Sequence, residues 1–486
     1  MLFNSLEFLL FFPIVAIILF IIPKKVQWFW LLISSYYFYM SWNPNYALLI
    51  LTSTIITFAT SLLIAKAETV SKKKFWVFIS FSSNLAILFF FKYANFTLEL
   101  FNKLSTNLGM DINVPRLDYL LPVGISFYTF QALSYTVDVY RSDIKPTKHF
   151  GKYALFVSFF PQLVAGPIER TTNLLPQFDR KISFNYNRMR DGLMLVAWGF
   201  FKKVVIADRI AVIVDQVYNN PIANDGFGSI IAMLLFSVQI YCDFSAYTDI
   251  AIGIARIMGF DLKKNFDNPY IAQSITEFWR RWHISLSTWF RDYLYIPLGG
   301  NRYGETRMLL NLFLVFLISG LWHGAALTFV IWGALHGVII VFEKLYYKTQ
   351  QKGYAKLGWD TKKFSFKLYR ILITFSLVTI AWVFFRADSF SSAIEVLTNL
   401  KHLEFKNFFN GKIYEYGLAE SELTIALISI ILLFTVEVLN IKFNIKQGIF
   451  NQNIVLRWSV YFLIIFFLLI FGYYNNEQAN FIYFQF

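Results

Sequence analysis

Cysteine is almost missing from this chain of 486 residues, which contains only Cys242. A single thiol cannot form an internal disulfide or build a cysteine-rich metal site. The five histidines do not replace it, because the sequence has no HExxH motif and no cluster of histidine ligands. A P-loop and a GxSxG motif are also missing, which leaves ATP-driven transport and serine-hydrolase chemistry without support. We therefore predict no metal ion and no tightly bound cofactor.

Charged residues are scarce as well: they make up 15% of the chain, whereas 57% of the residues are hydrophobic and 20% are aromatic. So few polar side chains cannot cover the surface of soluble domains. Apolar runs close to the ~20 residues that cross a bilayer recur, as at 6–22, 47–64 and 458–474. The first run has no basic stretch before it and no cleavage site after it, so we interpret it as a retained helix. The composition predicts an all-α polytopic integral membrane protein.

The basic residues, which give the chain a net charge of +14, fall mainly in loops between apolar runs. This distribution is typical of cytoplasmic loops, so the charge requires no nucleic-acid partner. With the basic loops inside, 41–46 and 219–226 lie outside, and about twelve passes fit if 156–168 enters and leaves on the same side. We predict a multi-pass membrane protein in contact with membrane lipid, with both termini extracytoplasmic.

The sequence shows no internal repeat and no low-complexity linker, which predicts one integral membrane domain over 1–486. It begins with transmembrane helices (1–119) and ends with further helices and a tail (391–486). The middle section (120–390) is richer in polar residues, glycine and proline.

A pair of lysines interrupts one apolar run. Lys202 and Lys203 lie within 192–218, where a charge is costly unless it reaches the interface or faces a cavity. We interpret the pair as the cytoplasmic end of a helix that begins later.

Polar side chains concentrate at three places, of which the first is 241–260. Tyr241, Ser245 and Thr248 follow the spacing i, i+4 and i+7, so they share a helix face, and Asp249 lies beside them. Such a stripe either joins helices through hydrogen bonds or lines a cavity. We expect one of these two roles rather than direct catalysis.

The second place is the aromatic and basic segment 277–301, which predicts one amphipathic cytoplasmic helix. Its apolar side contains Phe278, Trp282, Leu286, Trp289 and Tyr293. Its opposite side contains Arg280, His283, Ser287 and Arg291. The arginines either meet anionic lipid headgroups or hold the phosphates of a cytosolic donor.

The third place is the segment ISGLWHGAAL, where His323 stands between Gly320 and Gly324. These glycines let other backbones approach closely, and Gly333 and Gly337 form a further packing face downstream. A neutral imidazole is well suited to take a hydroxyl proton near neutral pH. We predict that His323 has a catalytic role as a general base.

Seven motifs, in order along roughly 120–390, together resemble the membrane-bound O-acyltransferase (MBOAT) family. They are PVGISFYTFQALSYTVDVYR, FFPQLVAGPIER, GFFKKVVIADR, YCDFSAYTDIAIG, NFDNPYIAQSITEFWRRWHISLSTWFRDYLYIPLGGNR, SGLWHG and WVFFRAD. The resemblance is greatest to the bacterial branch that serves alginate and peptidoglycan O-acetylation. It implies a helical rim with re-entrant segments around a central funnel or tunnel, in the bacterial inner (cytoplasmic) membrane.

The resemblance also implies roles for individual residues. The essential histidine of the family's WHG motif is His323 here, and the second family histidine matches His283. We predict that the donor-binding residues are Arg280, Arg281 and Arg291. The residues that we predict to line the tunnel or support the site are Tyr241, Asp243, Ser245, Asp249, Asn268, Trp322 and His336.

The function that the resemblance implies is transfer of an acyl group, most often acetyl, from a cytosolic thioester to the extracytoplasmic side. Acetyl-CoA would be the donor substrate, the acceptor peptidoglycan or an alginate-like exopolysaccharide, and the partner an extracytoplasmic SGNH-type acetyltransferase. D-alanyl transfer to teichoic acid is the alternative within the enzyme class. A transporter or flippase of an acylated carrier is the alternative from another class, and it predicts inverted repeats that we do not find.

The sequence closes on FIYFQF (481–486), whose single hydroxyl belongs to Tyr483. An exposed tail gains nothing from such apolar residues. If the tail lies outside and folds back into the funnel, Tyr483 can receive the acyl group with help from His323 and pass it to the partner. This arrangement resembles that of D-alanylation systems, whose small companion protein carries such a tyrosine in its C-terminal segment. The alternative is an aromatic anchor at the membrane interface.

Overall fold

The computed structural model describes residues 1–110, 112–119, 121–164, 166–474 and 481–482, which form helices and loops with no strand. Eight helical segments in these ranges are long and apolar enough to cross a membrane. They are Tyr46–Lys66, Val70–Asn107, Gly226–Ile257, Glu305–His323, Leu327–Lys356, Phe364–Arg386, Glu420–Lys442 and Ile454–Phe471. The prediction of an all-α polytopic membrane protein is therefore confirmed. The number of passes and the funnel stay predictions.

The chain divides into two compact units, and the first unit comprises Met1–Val196 and Ile250–Lys264. Its α-helices are Leu6–Ile21, Lys24–Met40, Tyr46–Lys66, Val70–Leu88, Ala94–Asn107, Ile125–Tyr140, Phe150–Ser158, Phe160–Leu163, Thr171–Leu174 and most of Tyr186–Phe200. A π-helical turn, Phe89–Tyr93, and a 3₁₀ turn, Leu175–Asp179, complete it. The organisation as one integral membrane domain stays a prediction.

The second unit comprises Ala197–Asp249 and Asn265–Phe486. Its α-helices are Asp208–Asn219, most of Gly226–Ile257, Ile275–Arg281, Ile284–Phe290, Glu305–His323, Leu327–Lys356, Phe364–Arg386, Phe390–Asn399, Glu420–Lys442, Ile445–Phe450 and Ile454–Phe471. Its π-helical turns are Phe201–Ala207 and Arg291–Tyr295. Its 3₁₀ turns are Pro221–Ala223, Pro269–Ile271, Leu400–His402, Phe405–Phe408 and Lys412–Tyr416. Both histidines of the predicted site belong to this unit.

The short helix Ile275–Arg281 is fixed at both ends by side chains of the segment itself. Ser274 Oγ accepts a hydrogen bond from the Glu277 backbone N–H at 3.0 Å, which caps the first turn. The Glu277 carboxylate accepts a further one from Gln273 N and lies 2.9 Å from the guanidinium of Arg281 in the last turn. This rigid turn leads directly to His283.

Glycines bring the helices Glu305–His323 and Leu327–Lys356 into backbone contact. A side chain added at Gly320 would collide with the carbonyl oxygen of Phe329, and one at Gly333 would collide with that of Phe316. Small residues permit this approach where any Cβ would separate the helices. The predicted close packing of these glycines is confirmed, and it holds His323 at the end of a well-supported helix.

The lysine pair does not mark a helix end. Lys202 and Lys203 lie in the π-helical turn Phe201–Ala207, inside a continuous helical stretch, and they are 2% and 1% exposed. Our interpretation of a later helix start is therefore wrong. The physical reason is that carboxylates lie beside both lysines. An ammonium group tolerates burial when an opposite charge compensates the lost hydration.

Candidate active site

His323 ends the helix Glu305–His323 and is enclosed by aromatic rings. Its ring centre lies 5.0 Å from those of Trp322 and Trp332 and 5.5 Å from that of Phe385. All three contacts are close to edge-on, and His323 is only 4% exposed. The imidazole therefore sits in an apolar pocket whose walls exclude bulk water.

His283 lies in the left-handed backbone region, with φ 43° and ψ 54°, directly before the helix Ile284–Phe290. It breaks the segment that we predicted as one amphipathic helix, so that prediction is wrong. The side chain is fully buried and does not share a face with the exposed Arg280 and Arg291. Non-glycine residues with positive φ are uncommon and recur at functional sites, which favours a functional role for His283.

Asn265 explains how this conformation is held. Its Oδ1 accepts hydrogen bonds from the backbone N–H of Ser285 at 3.0 Å and from Ser285 Oγ at 2.9 Å. The same oxygen lies 3.2 Å from His283 Nδ1, and the Asn265 carbonyl accepts a further bond from Ile284 N at 2.9 Å. Because Asn265 Oδ1 is an acceptor, Nδ1 carries the proton in this contact and Nε2 keeps its lone pair.

The structure brings the two predicted catalytic histidines together. The ring centres of His283 and His323 lie 6.4 Å apart, and Trp322 contacts both rings. Burial lowers the pKa of His283 to about 3, because the charged imidazolium would lose its hydration. His283 is therefore uncharged at physiological pH. The arrangement places two buried imidazoles beside one another, which suits proton transfer rather than anion binding.

His336 occupies the same aromatic environment but is tied down. Trp279 Nε1 donates a hydrogen bond to His336 Nδ1 at 3.2 Å, and the ring of His336 lies 5.0 Å from that of Trp332. Trp332 also contacts His323, so His336 supports the wall behind it. This position fits its predicted supporting role.

The three candidate donor-binding arginines differ in their surroundings. Arg280 and Arg291 are exposed, and the Arg291 side chain lies 2.8 Å from Asp292. Arg281 is half-buried, pairs with Glu277 and donates to the carbonyl of Asp267 at 3.1 Å. Donor binding by these residues stays a prediction.

The polar stripe on Gly226–Ile257 is buried and charged, and basic residues partner it. Lys202 Nζ donates to Ser245 Oγ and to Asp249 Oδ2, both at 2.7 Å. Lys203 Nζ lies 2.6 Å from Asp243 Oδ1. These contacts place Ser245 and Asp249 with Lys202 and Asp243 with Lys203, in two ionic groups, while a role in lining a tunnel stays a prediction.

Two other predicted supporting residues are Tyr241, whose ring centre lies 5.9 Å from Lys202 Nζ, and Asn268. The Tyr241 hydroxyl donates to a carboxylate oxygen of Glu437 on the helix Glu420–Lys442. Asn268 is half-buried and, like His283, has a positive φ of 46° just before the turn Pro269–Ile271.

The segment FIYFQF is described only at its first two residues. Phe481 and Ile482 are 0% and 3% exposed, and the ring of Phe481 lies 4.0 Å from that of Tyr247. Ile482 N donates to Asp243 Oδ2 at 2.7 Å. Tyr483 lies outside the described residues, so its role stays a prediction.

Sequence reasoning missed Asn265, Lys203 and Glu437 as parts of this region. Asn265 opens the quoted motif NFDNPY, and its position 18 residues before His283 gave no periodic signal. The lysines did give a signal, because two charges inside an apolar run demand partners. Asp243 and Asp249 in YCDFSAYTDIAIG also lie within an apolar run. Pairing the lysines with these carboxylates would have identified the ion pairs.

Comparison with known proteins gives a family match. Residues 126–377 match the model of MBOAT, the membrane-bound O-acyltransferase family. The chain is 41% identical to a probable alginate O-acetylase of Pseudomonas syringae, over 80% of this chain and 73% of that protein. It is 38% identical to a peptidoglycan O-acetyltransferase of Helicobacter pylori, over 76% and 73%. It is 28% identical to a teichoic acid D-alanyltransferase of Bacillus subtilis, over 55% and 69%.

Proposed function

Because the chain belongs to the membrane-bound O-acyltransferase family, we propose that it moves an acetyl group from a cytosolic thioester to the outer side of the membrane. It is an O-acyltransferase and a multi-pass membrane protein. The observation that carries the proposal is the buried pair of His283 and His323, with ring centres 6.4 Å apart. This pair, enclosed by aromatic side chains, supports proton transfer from a hydroxyl group.

The proposed donor is acetyl-CoA, and the proposed membrane is the bacterial inner membrane with residues 1 and 486 outside. A thioester is activated, but its carrier is too polar and too large to cross a bilayer. Passing only the acyl carbon through the protein removes that barrier. The exposed Arg280 and Arg291 are our first candidates for holding the donor's phosphates, whereas Arg281 is engaged with Glu277.

In the proposed transfer, the oxygen of an acceptor hydroxyl bonds to the thioester carbonyl carbon, and the carbon–sulfur bond breaks. His323 takes the hydroxyl proton and returns it to the departing thiolate, so no further reactant is consumed. His283 remains uncharged beside it and does not oppose the positive charge that His323 acquires during the step.

We further propose that Tyr483 is the first acceptor on the outer side. Its phenol oxygen would form the acetyl ester, and a serine of an SGNH-type partner would then take the acetyl group and leave its own proton on the tyrosine. The buried positions of Phe481 and Ile482 support a segment that leads into the second unit instead of lying on the membrane surface. The competing role is an interfacial anchor. A Tyr483→Phe protein that still supports full O-acetylation would exclude the relay.

The proposed final acceptor is a cell-envelope polysaccharide, in accordance with the names of the relatives that act on alginate and peptidoglycan. The similarity to a teichoic acid D-alanyltransferase supports D-alanyl transfer as the second candidate. An assay in which purified protein receives either labelled acetyl-CoA or a carrier protein charged with labelled D-alanine distinguishes the two candidate functions. Label from acetyl-CoA supports our proposal, and label from the carrier alone supports the second candidate.

The decisive experiment measures O-acetyl ester in the polysaccharides of a strain that lacks the gene. We expect wild type and His402→Ala to restore the ester, since His402 is exposed and lies in a separate 3₁₀ turn. We expect His323→Ala to be present in the membrane at normal level and to restore none. Full restoration by His323→Ala would contradict the catalytic assignment.

A further inference from the structure

The segment that follows the helix Ile454–Phe471 is held by residues of one motif, GFFKKVVIADR. Arg209, which is 2% exposed, donates through Nη2 to the carbonyl oxygen of Phe471 at 2.7 Å. The last carbonyls of a helix have no partner within it, so the guanidinium caps this helix. Tyr473 N then donates to Val204 O at 2.8 Å. The motif therefore binds the backbone at the point where the helix ends.

The same motif reaches the segment again at Ile482, through Asp243. Lys203 Nζ lies between two carboxylates, 2.6 Å from Asp243 Oδ1 and 2.8 Å from Asp208 Oδ1. One ammonium facing two carboxylates leaves an excess of acceptor capacity in a buried place. The Ile482 N–H meets part of this demand by donating to Asp243 Oδ2 at 2.7 Å.

An aromatic pocket receives the side chain of Phe481. Its ring lies 4.0 Å from that of Tyr247 and 6.1 Å from that of Phe244. Tyr247 also lies beneath Lys203, whose Nζ is 5.9 Å from the ring centre. Phe244 in turn contacts His283, with ring centres 4.7 Å apart. Phe481 is thus separated from a histidine of the candidate site by a single ring.

We propose that Lys203 and Asp243 form a dock for the backbone of residues 481–482, with Arg209 fixing the start of the same segment. The dock accepts a backbone N–H that follows an aromatic side chain, since Asp243 binds Ile482 N and the ring of Phe481 packs on that of Tyr247. Lys203 acts as a positioning residue: it holds the Asp243 carboxylate in the orientation that accepts this N–H. The proposal deepens the proposed acyl relay, since it supplies what would place Tyr483.

Hydrogen exchange in the full chain, purified in detergent, tests the dock without relying on activity. We expect the Ile482 amide to be protected in the wild type. Asp243→Leu removes the acceptor, and we expect exchange at Ile482 to become at least about ten-fold faster, as for loss of a hydrogen bond to a charged group. Lys203→Met should accelerate it as well. Lys202→Met is the matched control, because Lys202 is equally buried but contacts Ser245 and Asp249, and it should leave Ile482 protected.

A second pair of variants avoids disturbing the buried ions. Ile482→Pro removes the N–H and leaves Lys203 and Asp243 intact, whereas Ile482→Val keeps the N–H. We expect faster exchange of the neighbouring amides in Ile482→Pro alone. Exchange in the helix Glu305–His323 reports whether any variant has unfolded.

Failure of the dock and failure of the relay give different results. Unprotected Ile482 in the wild type, or unchanged protection in Asp243→Leu, would overturn the dock while leaving the role of His323 intact. Full O-acetylation by Tyr483→Phe, combined with normal protection of Ile482, would overturn the relay and leave the dock standing.

Discussion

Two buried polar regions of the second unit keep polar side chains away from water in opposite ways. Around His283 and His323, aromatic rings enclose imidazoles that need no opposite charge. Around Lys202 and Lys203, every ammonium group has a carboxylate within 3 Å. The first arrangement leaves side chains able to accept a proton during a reaction. The second commits its charges to one another, so it can hold structure but has no freedom for proton transfer.

The largest effect that separates these regions should follow from His323→Gln. Glutamine keeps a polar side chain of similar reach but cannot accept a proton, so we expect the rate of acetyl transfer to fall by about 10³-fold. The melting temperature in detergent should stay close to that of the wild type. The rate from labelled acetyl-CoA and the thermal unfolding curve check both parts, and a matching fall in stability would show that His323 is structural.

Lys203→Met should have the opposite profile, because its main effect should be a loss of stability. It leaves Asp243 and Asp208 buried without their counter-charge, and breaking such a pair costs about 3–5 kcal/mol. The triple variant that also contains Asp243→Asn and Asp208→Asn should regain much of the melting temperature, because no uncompensated charge remains. If the single and triple variants melt together, charge compensation is not what Lys203 contributes.

Asn265→Ala should affect the reaction more than the fold. Without Oδ1, His283 loses the contact that fixes its ring, and misplacement of a reacting group can lower a rate by about 100-fold. We expect the loss in kcat with little change in KM, and partial rescue by Asn265→Asp, which keeps an acceptor oxygen. A change confined to KM would show that Asn265 contributes to donor binding instead.

The smallest effect concerns pH. Burial depresses the pKa of His283 from its ordinary value near 6.5 to about 3. Between these two pH values, the unfolded chain therefore binds a proton at His283 that the folded chain does not bind. The contribution of His283 to the free energy of unfolding is fully present above about pH 6.5 and is lost as pH falls toward 3. We expect a loss of about 1 kcal/mol between pH 7 and 5.5. His283→Gln should flatten this part of the melting-temperature profile, and an unchanged slope would show that other groups cause it.

The sequence was sufficient to predict the parts of this molecule that depend on local pattern. Apolar runs near the bilayer length predicted the helical membrane fold, and His323 between glycines predicted a buried imidazole on a closely packed helix. The break at His283 could not be predicted, because helical periodicity continues through it. The left-handed conformation is imposed by Asn265, a residue whose contact depends on the tertiary fold.

The misread lysines teach a related lesson. The cost of burying Lys202 and Lys203 was correctly recognised from the apolar run, but the compensation comes largely from Asp243 and Asp249, about 40 residues away in sequence, with Asp208 as a second carboxylate beside Lys203. A charge in a hydrophobic run therefore predicts either a helix end or a partner. Only the presence of unexplained opposite charges elsewhere, here Asp243 and Asp249, favours the partner.

The positive φ of His283 also changes how substitutions at this position should be interpreted. An alanine there must hold a left-handed conformation that costs an L-residue about 1–2 kcal/mol, whereas asparagine tolerates it and glycine adopts it freely. Alanine scanning would therefore combine a backbone penalty with the loss of the imidazole. His283→Asn therefore gives a better estimate of the chemical contribution of the imidazole than His283→Ala.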